Sequence, residues 1–502
     1  MEYKSTETAE TNQIKSCSIL ADFVGINDVI KESAVDAAME DADYLRDLFI
    51  TKGNMLYLKE LLKSPPVTCI THTEQERIQF VKQAIKIFRH MDTRKNYMKK
   101  YKTFLYPSDS KCSMAVDLYP EDFREVYLDC NATTPLRPEV RKVLCDYSSG
   151  QYGFGNPGTR TGEGMYAEKL VETARENIAR TLDAKPSEII FTASGSEANN
   201  LAIKGIAFRH FQDKGHLITT MAEHKSVLSA MEFLEHLGFD VTYLPVDCYG
   251  MVNPSDFEKE IRPNTILAAI MAANNEIGTI NPISEIGKIC MDNNVPFMTD
   301  AVQAYGKIPI SPVREGISLM SISGHKIGAP KGIGALYVKE NIRLTPIIHG
   351  GGQEQGLRSG TENVGHILAF GTAAILAAEE REKEASRLCG LRDYLLQGIM
   401  DMRPQPILNG HPTKRLPNNL NISFPQADSS ALQRSLGRIG ISVSTGSACS
   451  AKISADSHVL KAIHSPLNGY AAIRFGLGRD TVKDDIDYLL KYLKDILNKM
   501  QS

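Results

Sequence analysis

Val295-Pro-Phe-Met-Thr-Asp300-Ala-Val-Gln303 is a short β-prone run that closes on a carboxylate. Similar runs recur along the chain: Glu188-Ile-Ile-Phe-Thr192, His216-Leu-Ile-Thr-Thr220, Thr265-Ile-Leu-Ala-Ala-Ile270 and Gly334-Ala-Leu-Tyr-Val338. Between them lie stretches with apolar residues at helical spacing, including Met165–Leu182, Glu197–Phe208 and Ile283–Asn293. Strands that alternate with helices predict an α/β fold with a largely parallel sheet. Open sheets of that kind hold ligands beyond the carboxyl ends of their strands, which makes Asp300 the first candidate site residue.

Outward from this region the chain changes character. Before Gly153 only Gly25, Gly53 and Gly150 occur, too few for a glycine-rich βα nucleotide fold. Apolar residues recur at helical spacing in Ala37–Phe49, Met55–Leu62 and Glu76–Phe88, and Thr73-Glu-Gln-Glu76 reads as a capping box. Residues 1–105 are therefore expected to form an all-α module of unassigned role. Its charge is polarised: residues 1–50 hold eleven acids and four Lys/Arg, residues 77–102 nine Lys/Arg and one acid. The basic helix could meet an acidic partner or nucleic acid, but the two patches cancel, so the expectation is a solvated face and no nucleic acid. Residues 106–125 read as a linker, 126–385 as a large domain, and 386–502 as a small C-terminal α+β domain.

Composition bounds the function classes. The chain has 502 residues, 42% hydrophobic and 23% charged, with a net charge of −3. That is ordinary for a globular protein and gives no basic excess. Nine cysteines without a C-x-x-C pair argue against a disulfide framework or zinc module and for a reducing compartment. The opening MEYKSTETAETNQ is polar, unlike a signal or transit peptide, and no stretch of ~18 apolar residues occurs. The expectation is a cytoplasmic protein with neither metal nor membrane span.

Ser323-Gly-His-Lys326-Ile-Gly-Ala-Pro-Lys-Gly332 follows an apolar run and enters a glycine-rich turn, which puts Lys326 at a strand end. A lysine there can form a Schiff base with a carbonyl cofactor. Alone it would read as a surface lysine, but its surroundings point elsewhere. Asp300 supplies the carboxylate that pyridoxal phosphate needs at its pyridine nitrogen. Thr192-Ala-Ser-Gly195-Ser196-Glu follows a strand and opens a helix, so small residues present backbone N–H groups to a phosphate. His224 follows a third strand, where an imidazole could stack on a flat ring.

With these residues in place, the region 126–495 resembles the cysteine desulfurases of class V aminotransferase type, fold-type I pyridoxal-phosphate enzymes. The matching stretches are Tyr127-Leu-Asp-Cys-Asn-Ala-Thr-Thr-Pro, Gly155-Asn-Pro, Gly195-Ser-Glu-Ala-Asn-Asn, Glu223-His224-Lys, Asn274-Asn275-Glu-Ile-Gly, Thr299-Asp300-Ala-Val-Gln303, Ser323-Gly-His-Lys326, Arg358-Ser-Gly-Thr361 and Ser447-Ala-Cys449. Their order and spacing match as a set. The resemblance implies that Lys326 carries the cofactor and moves protons, that His224 stacks over the ring, and that Asp300 pairs with the pyridine nitrogen. Gln303 would bond the ring hydroxyl, and Gly195, Ser196, Ser323 and His325 would hold the phosphate. Thr361 would reach the phosphate of a neighbouring subunit, implying a homodimer. Asn275 and Arg474 would clamp the substrate carboxylate, a match that an Arg fork suits on its own geometry.

Cys449 sits in Ser444-Thr-Gly-Ser-Ala-Cys-Ser-Ala-Lys452, small residues that suit a thiol which must reach substrate and then an acceptor. The implied reaction takes L-cysteine to L-alanine, leaves a persulfide on Cys449, and passes the sulfur to an acceptor protein. The residues after Arg358 and after Cys449 resemble the long-loop group, which includes housekeeping and nitrogen-fixation enzymes and implies iron–sulfur cluster assembly. Two departures stand out. Relatives commonly carry a His shortly after Asn-Pro, and Asn156-Pro-Gly-Thr-Arg-Thr-Gly has none. The usual desulfurase also lacks the helical module. A selenocysteine lyase or other class V C–S lyase needs the same residues, and a partner-binding adaptor with a degenerate enzyme domain is the remaining alternative.

Overall fold

The computed structural model describes residues 122–445 and 457–501. The expected helical module, most of the expected linker and Cys449 lie outside these residues.

The chain enters through β1 (Val126–Tyr127) and then builds a seven-stranded sheet. Its strands are β2 (Ile189–Thr192), β3 (His216–Thr220), β4 (Asp240–Leu244), β5 (Thr265–Ala269), β6 (Phe297–Asp300), β7 (Leu319–Ser323) and β8 (Gly334–Val338). The spatial order is β2-β8-β7-β6-β5-β3-β4. Pairings from β4 through β7 are parallel, and β8 runs antiparallel to both its neighbours. The predicted α/β class with a mostly parallel sheet is the observed one.

Both faces of the sheet are covered, which explains strands that are apolar throughout. Successive side chains point to opposite faces, so Ile189 and Phe191 join one core while Ile190 joins the other. The first core takes the helices Gly162–Thr181 and the start of Val364–Met400; the second takes Gly195–Arg209 and Lys225–His236. The helix Gly195–Arg209 begins at Ser194, whose side chain accepts from Glu197 N at 3.1 Å. An N-cap of this kind contributes about 1 kcal/mol.

A second lobe forms around an antiparallel sheet in the order β12 (Tyr470–Gly476), β10 (Asn419–Pro425) and β9 (Ile407–Asn409). Its core includes Leu420, Ile422, Phe475 and Leu489, together with Val126 of the entering strand and Leu128 just after it. β1 pairs in parallel with β11 (Ile441–Ser442). The helix Val364–Met400 is continuous through residue 385. Its Phe370 and Ala373 belong to the sheet core and its Leu395 and Ile399 to the second lobe's core.

Among the described residues no helix is long and apolar enough to cross a membrane, and no His/Cys/Asp/Glu cluster could hold a metal ion.

Candidate active site

The candidate residues at or after β2, β3, β5, β6 and β7 open on one cavity of roughly 240 Å³. Gly195 and Ser196 follow β2, His224 follows β3, Asn275 follows β5, Asp300 ends β6, Ser323 ends β7, and His325 and Lys326 follow it. Gln303 also lines it, and Arg474 of β12 reaches it from the second lobe.

Asp300 is 7% exposed and held on both oxygens. Oδ1 accepts from Val302 N at 3.0 Å and Oδ2 from Asn199 Nδ2 at 2.8 Å. Asn199 Nδ2 also donates to Ser226 Oγ at 2.8 Å. Ser226 in turn meets His224 Nδ1 through its hydroxyl at 2.8 Å and its backbone N–H at 3.1 Å. Because Nδ1 accepts a backbone N–H, a neutral His224 carries its proton on Nε2. A chain of side chains thus ties the His224 ring to the Asp300 carboxylate.

Lys326 closes a short 3-10 turn, Gly324–Lys326, and its Nζ donates to the carbonyls of Asn131 at 2.6 Å and Ala132 at 2.7 Å. His325 Nδ1 lies 3.2 Å from Thr133 Oγ1. Burial, then the charges of Lys326, Lys331 and Lys307, pull the His325 pKa down to about 4, so its ring is neutral at pH 7. Glu223 is buried, accepting from Met271 N at 2.9 Å and Thr220 Oγ1 at 3.0 Å. Burial pushes its pKa up to about 8, and the nearby Asp300 charge adds to the rise.

Arg474 donates from Nη1 to the Asn275 carbonyl at 3.0 Å and from Nη2 to Asp129 Oδ1 at 2.8 Å. The two expected clamp residues are therefore in contact. His458 lines the cavity and its Nε2 donates to the Glu223 carbonyl at 2.9 Å, while the preceding Ser457 donates from Oγ to Glu276 Oε2 at 2.5 Å. Thr361 is the one described candidate outside the cavity; it is exposed. Its neighbour Arg358 donates to Glu197 Oε1 at 2.8 Å, which fastens this segment to the first turn of Gly195–Arg209.

Glycine is required where the chain leaves no room for a Cβ. A Cβ on Gly195 would lie 2.6 Å from Val302 Cγ2, and one on Gly334 would lie 2.8 Å from the Ser194 carbonyl carbon. Of the cysteines described, Cys130 and Cys290 are buried, which pushes each thiol up to about 12 and makes it a poor nucleophile.

Asn131, Asn199, Ser226, Glu223 and Glu276 line or brace the cavity without having been singled out by sequence. One signal was available for Asn199. It lies four residues after Gly195 and shares its helix face.

These residues fit pyridoxal phosphate. A carboxylate, an amine and an imidazole converge on one cavity, and a helix opens there with small residues. Asn131 Oδ1, Asn199 Oδ1 and Asn275 Oδ1 are buried without hydrogen-bond partners among the described residues, as a polar ligand site requires.

The aminotransferase class-V family matches residues 126–489. The cysteine desulfurase IscS of Dictyoglomus turgidum is 46% identical over 380 residues, covering 76% of this chain and 96% of that protein. A mitochondrial cysteine desulfurase of Arabidopsis thaliana is 44% identical over 368 residues, covering 72% of this chain and 80% of that one. The solved structure of a NifS-like protein superposes with a TM-score of 0.71 at 38% identity, covering 75% of this chain and all of that one. That of SspA in complex with cysteine superposes with a TM-score of 0.62 at 38% identity, covering 71% and 99%. Fold, cavity and sequence agree: the chain belongs to the class V aminotransferases, a pyridoxal-phosphate-dependent family, and within it to the cysteine desulfurases.

Proposed function

We propose that the protein takes sulfur from L-cysteine, releases L-alanine, and carries the sulfur on Cys449 to an acceptor protein. The observation that supports it most directly is the convergence of Lys326, Asp300, His224, Asn275 and Arg474 on one cavity.

Pyridoxal phosphate, when bound, supplies an electron sink for the bonds at the substrate α-carbon. Lys326 holds the cofactor, and its amine accepts and returns the α-proton. The Asp300 carboxylate, oriented by Asn199 and the Val302 N–H, would hold the ring nitrogen in its protonated form. His224 would stack on the ring, and Gln303 would bond its hydroxyl. Gly195, Ser196, Ser323 and His325 would hold the phosphate. Arg474 and Asn275 orient the substrate carboxylate. The Cys449 thiolate attacks the substrate sulfur: a sulfur–sulfur bond forms, the carbon–sulfur bond breaks, and its electron pair stays with the carbon, which takes up a proton. Cysteine becomes alanine and Cys449 becomes a persulfide.

The working unit in this reading is a homodimer with shared sites. Thr361 lies outside its own cavity, where it could serve a partner, and Phe154 and Met165 are 87% and 62% exposed. Burying such side chains stabilises by about 1.5–3 kcal/mol each. A reducing, cytoplasmic setting suits a chemistry that depends on a thiol, and iron–sulfur cluster assembly suits a carried persulfide.

The test is incubation of the cofactor-loaded protein with L-cysteine and a reductant, with alanine and sulfide measured together. Equal amounts of both support the reading. Turnover of L-selenocysteine but not L-cysteine would replace it with the lyase reading, and absence of any turnover in a cofactor-loaded dimer would favour the adaptor.

A further inference from the structure

Gln303 lines the cavity, and its contacts determine which way its amide faces. Oε1 accepts from Asn131 Nδ2 at 3.0 Å and from Lys307 Nζ at 2.9 Å, while Nε2 donates to the Asn131 carbonyl at 2.9 Å. A Gln303 amide turned through 180° would set its nitrogen against two other donors. The Asn131 side chain alone does not forbid this. Its own amide could turn in the same motion, and its Oδ1 is buried with no hydrogen-bond partner among the described residues.

Two groups oppose the turn. One is the Asn131 carbonyl, which also accepts from Lys326 Nζ and is thus shared with the residue that engages the cofactor. The other is Lys307, whose ammonium has donors only and cannot reverse its role. Lys307 does not line the cavity; it stands behind Gln303. Its backbone is pressed in place, because Gly306 has φ +73 and a Cβ there would lie 2.8 Å from Ile327 Cγ2, one residue past Lys326.

We propose that Lys307 is a positioning residue that holds the Gln303 amide in one orientation, so that Gln303 meets an oxygen of the cofactor ring only as a donor. An amide nitrogen carries two hydrogens and Asn131 takes one, which leaves the second for that oxygen. The charged groups that act on Lys307 are Lys326 and Arg474, and the neutral Cys130 thiol is the other titratable group that acts on it. Burial, and then the Lys326 charge, pull the Lys307 ammonium down to about 7, with the Arg474 charge acting in the same direction. Below about pH 7 Lys307 is an ammonium and the Gln303 orientation is held; above it the neutral amine carries a lone pair, can also accept, and no longer opposes the turn.

The proposal rests on the pyridoxal-phosphate reading, and its test separates the two. Wild type, K307M, K307R, Q303A and the K307M/Q303A double variant are compared for cofactor dissociation constant by dialysis and for the wavelength and pH midpoint of the bound-cofactor absorbance. One hydrogen bond corresponds to about tenfold in affinity, so K307M and Q303A are each expected to weaken binding about tenfold. The double variant should be no weaker than Q303A alone, and K307R should recover most of the loss. Wild-type behaviour in K307M overturns the proposal, as does a double variant whose losses multiply to about a hundredfold. Should K307M fail to fold, K307Q takes its place, because its amide can accept as well as donate; a K307Q indistinguishable from wild type overturns the proposal. Wild-type protein that binds no pyridoxal phosphate removes the cofactor reading itself.

Discussion

Arg474 Nη2 lies 2.8 Å from Asp129 Oδ1, and only 2% of Arg474 is exposed. A guanidinium so enclosed needs a carboxylate, and Asp129 supplies it from the first strand-loop of the lobe. Asp129→Asn should raise the KM for L-cysteine about tenfold with a smaller change in kcat, since the clamp binds ground and transition states alike. Urea unfolding should show a loss of about 1–3 kcal/mol. An unchanged KM would mean that Arg474 does not hold the substrate.

Lys326→Ala should abolish the bond that borohydride fixes between cofactor and chain. Wild type treated with borohydride should carry the reduced cofactor on Lys326 by mass spectrometry, and the variant should carry none. Dialysis should still find pyridoxal phosphate bound through its phosphate contacts. Turnover should fall roughly 10²–10⁴-fold for loss of the proton carrier.

Cys449→Ser should keep the absorbance of bound cofactor and its response to L-cysteine, because neither needs the thiol. Sulfide release should fall to background, since a hydroxyl cannot replace the thiolate nucleophile. Mass spectrometry should find no persulfide at position 449. Wild-type rates in this variant would favour direct lyase chemistry.

Glu223→Gln tests the buried carboxyl. Its folded pKa, raised to about 8 by burial, exceeds the ordinary carboxylate value, so folding takes up a proton between the two. Wild-type stability from this group is complete below about pH 4.5 and declines as pH rises through 8. Glutamine does not titrate, so the variant should gain on wild type by a few degrees in Tm as pH rises from 5 to about 8.5. A difference that stays flat with pH would show that Glu223 folds already ionised.

Mixing Lys326→Ala chains with Thr361→Ala chains tests the shared site. A mixed dimer contains one site with both residues intact, so activity should recover toward half of wild type per mixed dimer. No recovery after verified subunit exchange would mean that Thr361 serves its own chain or neither.

Much of this was legible because the motifs are local. The runs ending at Thr192, Thr220 and Asp300 announced both the parallel strands and their ligand-bearing ends. β10 was not legible. Its Asn419 and Asn421 look like turn residues, yet both are buried and donate to the Glu276 carbonyl, more than 140 residues away in sequence. β4 was hidden by its position at the sheet edge, where its pattern is mostly polar and half-exposed. The same holds for the supporting cast of the site. Asn131 stood in plain view within Asp-Cys-Asn, but its meaning comes from Gln303 and Lys326, which only the fold brings beside it.

The pairing of β1 with β11 carries a consequence for how the protein is made. Val126 finds its partner Ile441 about 315 residues later. At a synthesis rate of roughly 5–20 residues per second, that partner emerges from the ribosome about 15–60 s after the strand that needs it. Until Leu388 is made, Val126 and Leu128 belong to a core whose other members have yet to be translated. The lobe that supplies Arg474 can therefore be completed only once Leu497 has been made, so a nascent chain can hold a finished central sheet well before it can bind substrate.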